Sequence, residues 1–115
     1  KHAIPAMAKS GGGSIINMSS TASHLGYSVF FAYSAAKGAV RAMTKSVAMH
    51  CQEQGYGIRC NSIHPASIET PMIQGARGRP GQPVEIAPVY VLLASQEASY
   101  ITGEVYGVTG GEGVA

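Results

Sequence analysis

Three short apolar runs, each bounded on at least one side by Gly or Pro and spaced by longer helical patterns, constrain this chain more than any other feature. Ser14-Ile15-Ile16-Asn17-Met18-Ser19 follows Gly11-Gly12-Gly13. It is too brief for a helix and lacks strict alternation, which suits a strand buried on both faces. Ile58-Arg59-Cys60-Asn61-Ser62-Ile63 reads as a second strand, ended by His64-Pro65. Val105-Tyr106-Gly107-Val108-Thr109 reads as a third, closed by Gly110-Gly111. Between the first two, residues from about Phe31 to Gln54 are helical in pattern. Ala36, Ala39, Val40, Met43 and Val47 form one apolar stripe, expected to face the core, and Gly55-Tyr56-Gly57 supplies the stop. A further helix starts at Pro83, with Glu85 in its first turn and Ile86, Val89, Tyr90 and Leu93 as its stripe. Pro88 is costly there, because its missing N–H leaves a carbonyl one turn back unpaired. The first residues read as the end of a helix. Strands alternating with helices imply right-handed crossovers and a parallel sheet.

Composition narrows the function. The 115 residues are 45% apolar and only 12% charged, about half the charged fraction of an average domain. That excludes intrinsic disorder. No run approaches the length of a membrane span. A net charge of +2, with Lys and Arg scattered, gives no nucleic-acid footprint. Cys51 and Cys60 are expected to be free thiols in a reducing compartment. No apolar segment follows Lys1 as in a signal peptide, so the cytoplasm is the expected location. The four histidines lack metal-ligand spacing, so no metal is expected. So low a charge on so short a chain suggests part of something larger, or an obligate oligomer.

In open parallel sheets, ligands bind beyond the carboxyl ends of the strands. Two loops lie there, one beginning at Ser20 and one at His64. The first leads to Tyr33-Ser34-Ala35-Ala36-Lys37, where Tyr33 and Lys37 are four apart and share a helix face. An ammonium beside a phenol favours the phenolate and makes the Tyr a usable proton donor and acceptor. The same pair also suits an ordinary aromatic–cation contact on a helix surface. Ser20 lies thirteen residues before Tyr33, at a strand end where its hydroxyl can meet the same site or simply cap the turn. Leu25, Tyr27 and Phe30 are candidates for a pocket wall, and equally for core or interface.

Taken together, several segments resemble the short-chain dehydrogenase/reductase family. They are Gly13 to Ser20, Tyr33 to Lys37, Ile58 to Pro65, Thr70-Pro71-Met72, Gly81 to Ala87, Leu92 to Ser95, Tyr100 to Gly103 and Gly110-Gly111. Hydroxysteroid-dehydrogenase-like members are the nearest resemblance, above all around Ile63 to Met72. The resemblance implies an α/β fold, the second half of a Rossmann-like doubly wound parallel sheet, with residues 1–115 as one partial domain. It implies an oxidoreductase that interconverts a secondary alcohol and a ketone by hydride transfer with NAD or NADP. Tyr33 would be the general acid/base. Lys37 would favour its ionised form and bond the nicotinamide ribose. Ser20 would polarise the substrate oxygen. Pro65 would begin the loop backing the nicotinamide, Ile68 would meet its carboxamide, and Thr70 would lie on the cofactor. Family members form homodimers or homotetramers, with the helix from Tyr33 in an interface.

Three features depart from the family pattern. No Gly-rich strand-to-helix phosphate cradle is present, since Gly11-Gly12-Gly13 leads into a strand. The residue that selects NAD or NADP, and the family's catalytic Asn, are absent with it. The stretch from Met72 to Gly81 is short, and Ala66 stands where the family usually has Gly. These motivate two alternatives: a non-catalytic remnant acting as an oligomerisation or binding module, and a recombined segment with its junction near Gly75.

Overall fold

The computed structural model describes residues 1–71 and 79–112. Met72 and the junction near Gly75 lie outside the described residues.

The alternation of elements is as the sequence implies. Helix α1 (Ala3–Lys9) is followed by β1 (Gly13–Met18), α2 (Phe31–Gln54), β2 (Ile58–Pro65), α3 (Pro83–Ala94) and β3 (Val105–Val108), with 3-10 turns at Thr21–Ser23 and Gln96–Ala98. The three strands form one parallel sheet in the order β1-β2-β3. Met18 lies opposite Ile63, and Pro65 opposite Val108, so the carboxyl ends of all three strands open on one side.

Local chemistry explains the punctuation. Gly55 ends α2 with φ +66°, a left-handed conformation that glycine adopts without penalty. At Gly12 a Cβ would overlap the Gly57 carbonyl oxygen, so the turns entering β1 and β2 touch backbone to backbone. Glu85 accepts from the Gln82 N–H at 2.8 Å and pairs with Arg79 at 3.0 Å, fixing the start of α3. Pro88 does sit inside α3. Both it and Val84, whose carbonyl loses a partner, are exposed, so the defect faces away from the sheet.

The core centres on Ile63, Ile86, Leu93 and Ala98. The expected stripe of α2 is corrected. Met43 is 51% exposed, and Ala36 and Ala39 are exposed too. The helix instead buries Thr44, Ala48 and Cys51. The reason is polar: Thr44 Oγ1 accepts from Asn17 Nδ2 of β1 at 3.0 Å, and donates to the Val40 carbonyl at 2.7 Å. A buried Thr on a helix is satisfied this way, and that bond turns the helix so that its Ala- and Met-rich face looks outward.

Strand β2 carries the most buried polar groups. Asn61, Ser62 and His64 have no exposed surface. Asn61 donates to the Ile101 carbonyl and accepts from the Glu104 N–H, both at 3.0 Å. A buried group left unpaired there would cost about 1–3 kcal/mol. The residues after β2 also return to themselves. Gly81 N–H donates to the Ser67 carbonyl at 2.9 Å, and Glu69 N–H donates to the Gly81 carbonyl at 2.8 Å.

Candidate active site at the carboxyl ends of the strands

Ser20 lies two residues past β1 in an extended conformation, φ −164° and ψ 158°. Its Oγ accepts from the Ala22 N–H at 3.1 Å and so caps the 3-10 turn. The Ser20 carbonyl accepts from the Ser23 N–H at 3.0 Å and from the His64 ring at 3.1 Å. An Oγ that already accepts keeps its own O–H free to donate elsewhere.

Helix α2 is stitched to the end of β1 at its second turn. Ser19 Oγ donates to the Lys37 carbonyl at 2.8 Å, and Lys37 Nζ donates to the Met18 carbonyl at 3.2 Å. Those bonds place Tyr33 one turn earlier, at the cleft. Lys37 Nζ stands 5.7 Å from the centre of the Tyr33 ring, a cation–π distance. Phe30 packs edge-on to Tyr33 and to Tyr27, with ring centres 6.3 and 6.2 Å apart.

The site residues chosen from sequence divide between two adjoining concavities. Ser20 and Tyr33 line a cleft of about 290 Å³ with Thr21, Tyr27, Phe30 and Glu112. Pro65, Ile68 and Thr70 line a groove of about 490 Å³ with Met18, Ile86 and Tyr90. Ala66 is common to both. Lys37 lines neither; its ammonium sits on the carbonyl of Met18, which lines the groove. Tyr27 and Phe30 are walls of the cleft; Leu25 is not. Among the described residues no group of three or more His, Cys, Asp or Glu could hold a metal ion.

His64 is the residue that sequence reasoning passed over. It has no exposed surface. Its Nδ1 lies 3.1 Å from the Ser20 carbonyl and 2.9 Å from Ser23 Oγ, and its Nε2 lies 2.7 Å from Ser62 Oγ. The available signal was a run of polar residues, Asn61, Ser62 and His64, inside a strand whose neighbours demand full burial. Burial pushes the His64 imidazole below its usual range; the Ser20 carbonyl opposes this, and His24, Arg41 and Lys45 add to the downward push. The Cys60 thiol is pushed up to about 11 by burial and by Cys51, so it is a packed, unreactive group.

The profile of the family described as Enoyl-(Acyl carrier protein) reductase matches residues 1–112. The chain is 43% identical to a trans-4-hydroxycyclohexanecarboxylate dehydrogenase of Sinomonas cyclohexanicum, across 97% of this chain and 45% of that one. It is 42% identical to a 3-beta-hydroxysteroid dehydrogenase of Comamonas testosteroni, across 83% of this chain and 44% of that one. A short-chain type dehydrogenase/reductase from Mycobacterium ulcerans superposes with a TM-score of 0.89 at 30% identity, covering 96% of this chain and 45% of the other. The chain therefore spans about half the length of the relatives it matches.

The burial of His64 predicts a pH dependence. With a native pKa below the unfolded value of about 6.5, the unfolded chain takes up the proton first as pH falls. Stability is therefore complete above about pH 6.5 and declines below it, towards the lower native pKa. Thermal melts between pH 5 and 8 should show the midpoint falling with pH, and His64→Gln should flatten that slope. A midpoint that rises as pH falls would contradict the neutral, buried assignment.

Proposed function

The chain belongs to the short-chain dehydrogenase/reductase family, and from that premise we propose that it carries the catalytic half of an NAD- or NADP-dependent oxidoreductase acting on a secondary alcohol or its ketone. The observation that carries this reading is that Ser20 and Tyr33, from different elements, line one cleft while Lys37 stands over the Tyr33 ring.

The geometry supports the following roles. The free Oγ–H of Ser20 donates to the substrate oxygen and draws electron density from the carbonyl carbon. The Tyr33 hydroxyl gives its proton to that oxygen in reduction and takes it back in oxidation. The Lys37 ammonium, 5.7 Å from the centre of the Tyr33 ring, sets a positive charge beside the proton-transferring residue. Phe30 and Tyr27 shield the cleft from water. A bound nicotinamide supplies the hydride in reduction and accepts it in oxidation.

The adjoining groove fits the nicotinamide end of such a cofactor. Its lining is apolar at Met18, Pro65, Ile68, Ile86 and Tyr90, with Thr70 as a polar group. Pro65, Ile68 and Thr70 would hold the ring, and Tyr33 and Lys37 the adjacent ribose. Two relatives whose names give a hydroxycyclohexanecarboxylate and a hydroxysteroid as substrates favour a ring-borne secondary alcohol.

The partner of the complete protein is a second copy of itself. Phe31, Met43 and Met49 are 79%, 51% and 54% exposed on one side of α2, beside Ala35 and Ala39, an apolar stripe that self-association would cover. Sedimentation velocity should give a dimer or tetramer, and a monomer at micromolar concentration would refute this. No described helix is long and apolar enough to cross a membrane. Two buried free thiols suit a reducing compartment, the cytoplasm.

Tyr33→Phe in the complete protein should lower kcat about 10²- to 10⁴-fold, the usual worth of general acid–base catalysis, while the cofactor still binds. Titration of NADH or NADPH fluorescence reads the binding, and ketone reduction reads the turnover. Unchanged turnover would remove Tyr33 from the chemistry.

A further inference from the structure

We propose that His64 is a positioning residue that holds Ser20 in register through the Ser20 main-chain carbonyl. The inference rests on the role given to Ser20 above and extends it to a residue that never touches substrate.

The hydrogen-bond partners fix the tautomer. A carbonyl oxygen only accepts, so the nitrogen 3.1 Å from the Ser20 carbonyl, Nδ1, carries the hydrogen. Nε2 is then the acceptor, and Ser62 Oγ donates to it at 2.7 Å. Ser23 Oγ, 2.9 Å from Nδ1, shares that hydrogen and can donate its own to His24 Nδ1 at 3.1 Å. Every polar atom of the ring is thus satisfied inside a site with no exposed surface.

The consequence falls on Ser20. It has left the β1 ladder, which ends at Met18, and its placement depends on what holds its own groups. Its carbonyl has two acceptor positions. The Ser23 N–H fills one at 3.0 Å, from within the same turn, and His64 fills the other from β2. The first bond shapes the turn but cannot locate it on the sheet. The second ties it to the strand that forms the centre of the sheet. With the Oγ accepting from the Ala22 N–H, the turn sets the direction of the free O–H; the Ser19 N–H on the Ile63 carbonyl, at 2.8 Å, anchors the chain just before it, and His64 anchors Ser20 itself. A displacement of about 1 Å at a reacting group costs on the order of 100-fold in rate.

The charged and titratable groups facing His64 are His24, Arg41 and Lys45, from the loop after β1 and from α2. All can carry positive charge, so none offers a carboxylate that would draw His64 into the imidazolium form and convert Nε2 to a donor facing Ser62.

The test is a double-mutant cycle in the complete protein, read against the tautomer. His64→Leu keeps volume and removes the donor, and should lower kcat about 10- to 100-fold with little change in the ketone KM. His64→Asn places an amide N–H near the Nδ1 position and should recover most of that loss. In a Ser20→Ala background, His64→Leu should cost less than about twofold further, because residues acting through one group are not additive. Imidazole ¹⁵N shifts of the wild type should show Nδ1 protonated and Nε2 bare. An equal loss from His64→Leu in both backgrounds overturns the inference alone, as does an Nε2–H tautomer. Full turnover by Ser20→Ala overturns the catalytic role of Ser20, and this inference with it.

Discussion

The need to satisfy buried polar groups on the central strand organises this fold. Strand β2 lies between β1 and β3, and Asn61, Ser62 and His64 on it have no contact with solvent. Groups in that position must find partners inside the protein. Asn61 takes them from residues 101 and 104, and the Cys60 N–H takes Thr102 Oγ1, which fixes the chain entering β3. His64 takes its partners from Ser20, Ser23 and Ser62, which fixes the loop leaving β1. One strand thus holds a loop at each end of the sheet. An apolar β2 would still pair its backbone, but it would lose the side-chain bonds that add to the backbone bonds at each loop.

The candidate site is a product of that arrangement and of the stitching of α2 to β1. Bonds between Ser19, Lys37 and Met18 hold the helix where Tyr33 meets Ser20 across a cleft. Ala66 joins this cleft to the apolar groove carrying Pro65, Ile68 and Thr70. In the proposed reaction, proton and hydride would reach the same carbonyl group, one at oxygen and one at carbon. Two concavities sharing a wall suit that need.

Much of this was legible in the residues. Short apolar runs bounded by glycine located all three strands, and the four-residue spacing of Tyr33 and Lys37 put them on one helix face. The orientation of α2 was not legible. Its sequence has apolar residues on more than one side, and periodicity favoured the stripe through Met43. The structure turned on Thr44, a residue that reads as surface until Asn17 is seen beside it. The split of the site into two concavities that share Ala66 was also hidden, because it depends on how separate segments of the chain pack around that residue. His64 was hidden for the opposite reason. Two of its partners, Ser20 and Ser23, lie about forty residues away, and only the sheet brings them together.

In the proposed reaction hydride passes directly to the substrate carbon beside Tyr33. The most direct measurement is product isotope content when the complete protein reduces a cyclic ketone with reduced nicotinamide cofactor deuterated on either face of C4. Mass spectrometry should find deuterium on the alcohol carbon from one of the two labelled faces and protium from the other. Product without deuterium from either face would contradict the assignment of this cleft to an oxidoreductase.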